Sequence, residues 1–95
     1  MLNLFAIEDV FDITGRGCVL APGIPHSLGL NIKIGAHLLI VSPFGGRIRT
    51  QISSFEMLHT RTHGLSHAPF AVSSEIKKEQ LELGSKVFLI EESGI

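Results

Sequence analysis

The segment that most constrains this chain is Phe5-Ala-Ile-Glu-Asp-Val-Phe-Asp-Ile-Thr-Gly-Arg-Gly-Cys-Val-Leu-Ala-Pro-Gly-Ile24, two alternating stretches on either side of a Gly-Arg-Gly turn. Phe5, Ile7, Phe11 and Ile13 share one parity, and Ala6, Glu8, Val10 and Asp12 the other, which is the period of a strand with one buried face. Asp9 interrupts the inward set. A carboxylate on a buried face is costly unless hydrogen bonded, so the strand either bulges at Asp9 or opens it onto a pocket. Gly15 and Gly17 supply the positive φ values of a tight turn, Arg16 projects from its tip, and Cys18 to Ile24 returns as the second strand of a hairpin.

Beyond the hairpin, Pro22, Gly23, Pro25, His26 and Gly29 resist regular structure, and Gly35 marks a turn before a strand from His37 to Val41. The nearly continuous Leu-Leu-Ile-Val run of that strand calls for cover on both faces. Pro43-Phe-Gly-Gly46 turns the chain, Ile48, Thr50 and Ile52 alternate, and the apolar parity then flips to Phe55 and Met57, which places a bulge near Ser53 and Ser54. His59 to His67 reads as an exposed loop and Phe70 to Val72 as a short strand. Residues 75–81 are too few for an independent helix and make one helical turn; Gly84 then releases a last strand from Val87 to Ile90. Six short strands with Gly- and Pro-rich turns define one all-β domain over residues 1–95, a closed six-stranded antiparallel barrel.

Composition narrows the function classes. Eight basic and nine acidic residues give a net charge of -1, so no global field draws the chain to nucleic acid or an anionic membrane. The apolar fraction of 44% is high for so short a chain, which leaves apolar surface for a partner. A single cysteine, Cys18, excludes an internal disulfide and a thiolate-only metal site, and reads as a small buried hydrophobe compatible with a reducing compartment. The first ten residues already contain Glu8 and Asp9, unlike a secretory signal, and no apolar run approaches the roughly 18 residues of a membrane span. The expectation is a cytoplasmic protein with no membrane, cofactor or metal.

These residues resemble domain II of the translational GTPases, the small Greek-key β-barrel found in elongation factor Tu. The family's Ile-Glu-Asp-Val-Phe strand, Gly-Arg-Gly turn and Val-containing return strand are matched by Ile7 to Phe11, Gly15 to Gly17 and Val19. Ile34-Gly35, Phe55-Glu-Met57, Ile76-Lys-Lys-Glu-Gln80 and Gly84 follow in the family's order. The resemblance implies a Greek-key barrel that contacts the aminoacyl end of transfer RNA through Glu8, Asp9 and Phe11. It also places Arg16 near the face used on the small ribosomal subunit. Two polar family contacts, a Thr and an Asn, are replaced here by Ala21 and Ala68. No Gly-x-x-x-x-Gly-Lys-[Ser/Thr] sequence is present, so the phosphate cradle of GTP hydrolysis is missing.

Other constellations have plain structural readings. Glu8 and Asp9 are adjacent, so a regular strand points them apart, the wrong geometry for a paired acid and base. His59, His63 and His67 recur every four residues, but Gly64, Thr60, Thr62 and Ser66 oppose a helix that would stack them as zinc ligands, and they read as solvated loop histidines. Arg16, Arg47, Arg49 and Arg61 would form a basic rim if their turns met at one end of the barrel. The expected function is a non-enzymatic interaction module binding a protein partner or itself, with Phe44, Phe88 and Ile90 as exposed apolar candidates. The alternative is an RNA-binding accessory of translation, contacting ribosomal RNA or a transfer RNA end through Glu8, Asp9, Phe11 and Arg16.

Overall fold

Between Ala6 and Asp9 the first expected strand breaks, and that break decides the architecture. In the computed structural model of the chain, which describes residues 1–56 and 66–90, β1 (Leu2–Ala6) and β2 (Asp9–Ile13) are separate strands. Leu4, Phe5 and Ile7 are buried before the break and Val10 after it, so the inward parity changes and Asp9 lies exposed. The carboxylate that interrupted the inward pattern is therefore never turned inward. Phe11 and Ile13, expected on the buried face, are only half-buried.

The remaining strands are β3 (Gly17–Pro25), β4 (His37–Val41), β5 (Arg47–Phe55), β6 (His67–Val72) and β7 (Lys86–Leu89). They form one antiparallel sheet in the order β1-β7-β4-β5-β6-β3-β2. The two strands nearest in sequence, β1 and β2, are thus its two edges. The sheet curls into an open half-barrel, and its edges converge where the chain crosses from one to the other. There the Ile7 N–H donates to the Ser85 carbonyl at 2.8 Å, the Gly84 N–H donates to the Ile7 carbonyl at 2.8 Å, and the Glu8 N–H donates to the Ala21 carbonyl at 2.8 Å. The expected closed six-stranded barrel is corrected on both counts: the break adds a seventh strand, and no ladder joins β1 to β2. Among the described residues helical structure is limited to two 3₁₀ turns, His26–Leu28 and Lys78–Gln80.

Inside the curl, Leu20, Leu38, Ile40, Ile52, Phe70, Val72 and Val87 are buried, each apolar side chain of that size contributing about 1.5–3 kcal/mol by leaving water. Phe70 centres the packing, with the Phe5 ring edge-on to it at 5.7 Å and 81°. Leu38 and Ile40 of β4 face this core, while Leu39 on the opposite face is also buried, which accounts for the continuous apolar run. The β5 bulge lies where the parity flip placed it, between Ile52 and Ser54.

A second irregularity admits only glycine. Register between β3 and β6 shifts between Leu20 and Ile24, and within that shift Gly23 has a φ of +100°. A Cβ there would overlap the backbone carbonyl of Ala68 and the nitrogen of Pro69. The two strands approach too closely for any side chain. Gly23→Ala is therefore expected to destabilise the fold by about 3 kcal/mol or more, combining left-handed strain with displaced backbone. Urea unfolding measures it, and a loss under about 1 kcal/mol would contradict the close approach.

Candidate functional site

The residues singled out in the opening segment occupy two ends of one hairpin. Glu8 is exposed at the crossing between β1 and β2, and Asp9 and Phe11 follow on the edge strand, opposite Ala21 and Val19 of β3. Asp9 Oδ1 accepts a hydrogen bond from the Val10 N–H at 2.9 Å, so its carboxylate folds back on its own strand. Ala21 and Ala68, at the family's Thr and Asn positions, offer no side-chain polar atom; Ala21 pairs with Asp9 and Ala68 with Ile24. Arg16 is on the turn beyond Ile13, and the four steps along the strand put about 13 Å between Asp9 and Ile13 alone. Glu8, Asp9 and Phe11 are brought together; Arg16 is held apart from them.

Arg16 is instead tied to β5. Its Nη1 donates to Glu56 Oε1 at 2.7 Å, and Ser54 Oγ donates to Glu56 Oε2 at 2.6 Å. The Arg16 side chain is 63% accessible and that of Glu56 only 8%. The Ser54 hydroxyl holds the Glu56 carboxyl below the usual carboxylate range against desolvation, the next largest effect and of opposite sign, and the hydrogen bond and charge of Arg16 each add a smaller lowering. This arrangement is a structural clasp between the hairpin turn and the end of β5. Sequence reading placed Arg16 at a turn tip but had no signal for a partner 40 residues away.

Arg47 and Arg49 do not join Arg16 at a rim. Both are exposed on the outer side of β5, alternating with Ile48, Thr50 and Ile52. Arg61 lies outside the described residues, as do His59 and His63 of the four-residue histidine spacing; His67 is in β6, its Nδ1 2.8 Å from Ser66 Oγ. Among the described residues no group of three or more His, Cys, Asp or Glu side chains is placed to hold a metal ion. Cys18 is buried, with its Sγ 3.7 Å from the Ile76 carbonyl oxygen. Burial, with smaller contributions from the Asp12 and Glu79 carboxylates, pushes its thiol pKa up, the reverse of what an attacking thiolate needs.

The exposed large apolar residues include Leu28, Leu30 and Ile34 in the β3–β4 connection, Phe44 between β4 and β5, and Leu83 before β7. Phe44 is 87% accessible and Leu83 62%, whereas Phe88 and Ile90 are half-buried. Gly84 lies against Pro43, where an added Cβ would meet Pro43 Cγ at 3.6 Å, so Phe44 and Leu83 emerge from the same end of the half-barrel. Ser42 fixes the Phe44 turn. Its Oγ accepts from the N–H groups of Phe44 at 3.3 Å and Gly46 at 2.9 Å, and its own N–H donates to the Gly46 carbonyl at 2.8 Å. Leu83 carried no sequence signal, because only the folded chain brings residues 82–85 beside the β4–β5 turn.

No family profile, curated protein or solved structure matches this chain. Among the described residues no helix is long and apolar enough to cross a membrane.

The clasp has a measurable signature. A depressed carboxyl pKa stabilises the folded state above the ordinary carboxylate range, and that contribution disappears as pH falls through the lowered folded value. Ser54→Ala and Arg16→Ala are each expected to raise the Glu56 pKa, with each substitution costing less than about 1 kcal/mol at neutral pH, since the arginine end of the pair faces water. Carbon-detected NMR titration of the Glu56 carboxyl reads both; an unchanged pKa in Ser54→Ala would contradict the assignment.

Proposed function

We propose that this chain is a non-enzymatic interaction module, binding a protein partner or a second copy of itself through the end of the half-barrel that carries Phe44. The observation behind it is an aromatic side chain that is 87% accessible on a turn held in one conformation by Ser42. An exposed Phe costs solvation free energy in the isolated chain, and a turn already ordered loses little further entropy on docking. Large anchors of this kind dominate interface energies when a partner covers them. Leu83 and Pro43 widen the apolar surface around it.

Kinship with translation factor domain II belongs to the same proposal. It draws support from the β2–β3 hairpin, in which Gly15 and Gly17 take positive φ values of 82° and 93° around Arg16. In this reading Glu8, Asp9 and Phe11 form a secondary contact surface on the β2 edge, and RNA or ribosome binding is the alternative use of that hairpin.

Phe44→Ser removes the anchor without touching the core, so its stability is expected to stay within about 0.5 kcal/mol of the parent. Sedimentation velocity across a concentration series, followed by capture from native lysate treated with ribonuclease, reads the consequence. Self-association or capture that disappears in Phe44→Ser is the expected result. A parent chain that stays monomeric and captures nothing dependent on Phe44 would refute the proposal.

A further inference from the structure

The strand registers align three cations on the outer side of the middle strands. Lys86 of β7, Val41 of β4 and Arg47 of β5 lie in one row, and Phe88, Leu39 and Arg49 in the next. Neighbouring strands are about 4.8 Å apart and alternate residues of one strand about 6.6 Å, so the three charges fall within roughly 12 Å of one another at the backbone, around Leu39. Among the described residues Arg16 pairs with Glu56, and Arg47, Arg49 and Lys86 take no part in that ion pair. A chain of net charge -1 thus carries a local positive face. Phe88, half-buried, is the aromatic ring set among these cations.

Arg49 of this face also lines a groove of about 300 Å³, together with His37, Gln51, Ser73, Glu75 and the apolar Ile76. Gln51 offers both donors and acceptors, and Glu75 offers acceptors. The combination is selective. Guanidinium and ammonium groups suit phosphate, a ring suits a base face, and mixed amide and carboxylate groups suit base edges. An acidic peptide fits less well, because Glu75 repels it and because β4, paired on both sides, has no free backbone to extend into a further strand.

We propose that the outer face of β7, β4 and β5 binds single-stranded nucleic acid, with phosphates on Lys86, Arg47 and Arg49, a base against Phe88 and another in the groove at Gln51 and Glu75. This surface is separate from the Phe44 tip and does not depend on it. It also differs from the hairpin face, whose Arg16 is engaged by Glu56.

Fluorescence anisotropy with a labelled single-stranded 20-nucleotide RNA tests it on the full chain. Binding at low salt is expected with a dissociation constant of roughly 10⁻⁶ to 10⁻⁴ M, weakening linearly with salt on a log–log scale. Arg47→Glu with Arg49→Glu is expected to weaken it by about tenfold or more, and Arg49→Ala to lower the salt slope by about 1. Phe88→Leu is expected to reduce affinity with the slope unchanged. Amide shift changes in the parent chain on adding RNA are expected on β4, β5 and β7, which keeps the test independent of how any variant folds. No binding at low salt, shift changes confined elsewhere, full affinity in the double variant, or equal displacement by polyglutamate would each overturn the proposal.

Discussion

The two residues Ile7 and Glu8 carry the constraint on which the rest of this fold depends. A sheet whose first two strands are its opposite edges must be bridged by the chain itself. Here the bridge is short and held at three backbone points, to Ser85 and Gly84 beside β7 and to Ala21 of β3. Ile7 adds a side chain that is 1% accessible, so the crossing is also part of the core. Backbone groups leaving a ladder must find partners elsewhere, and these three bonds satisfy that requirement while drawing the edges together. Curl, core and the distinction between inner and outer faces all follow from this crossing.

With the inner face assigned to Phe70 and its aliphatic neighbours, polar chemistry is directed outward. Among the described residues no buried side-chain nitrogen or oxygen lacks a hydrogen-bond partner. Such an interior specifies packing and is consistent with interactions made on the outside. The outside is differentiated. An ordered apolar tip at Phe44, an edge strand bearing Asp9 and Asp12 with Glu8 just before it, and a positive face over β5, β4 and β7 occupy different parts of one small sheet. A net charge of only -1 conceals that separation, because it sums over faces that a partner meets one at a time.

Local signals in the sequence were read well where local physics decides. The Gly15 and Gly17 turn, β4 with cover on both faces, the bulge after Ile52 and the short turn near Lys78 each rest on neighbouring residues. The first strand departs from its sequence pattern because Phe5, Ile7, Phe11 and Ile13 keep one parity across a break that reverses it. Only the hydrogen bonds of Ile7 and Glu8 with distant segments reveal that reversal. The Arg16–Glu56 clasp and the Phe88-Leu39-Arg49 row were hidden for a related reason, since both depend on pairing between segments far apart in the chain. Gly23 shows the same limit: the return strand expected from Cys18 to Ile24 includes it, but its close approach to the backbone of Ala68 is set by the pairing of β3 with β6.

Residue-resolved NMR of the unmodified chain reaches the central claim most directly, through amide exchange at the crossing and through contacts between strands. The account requires the Ile7, Glu8 and Gly84 amides to exchange as slowly as those of β4, with no cross-strand contacts between β1 and β2. Rapid exchange at all three amides, or a continuous β1–β2 ladder closing the barrel, would contradict it.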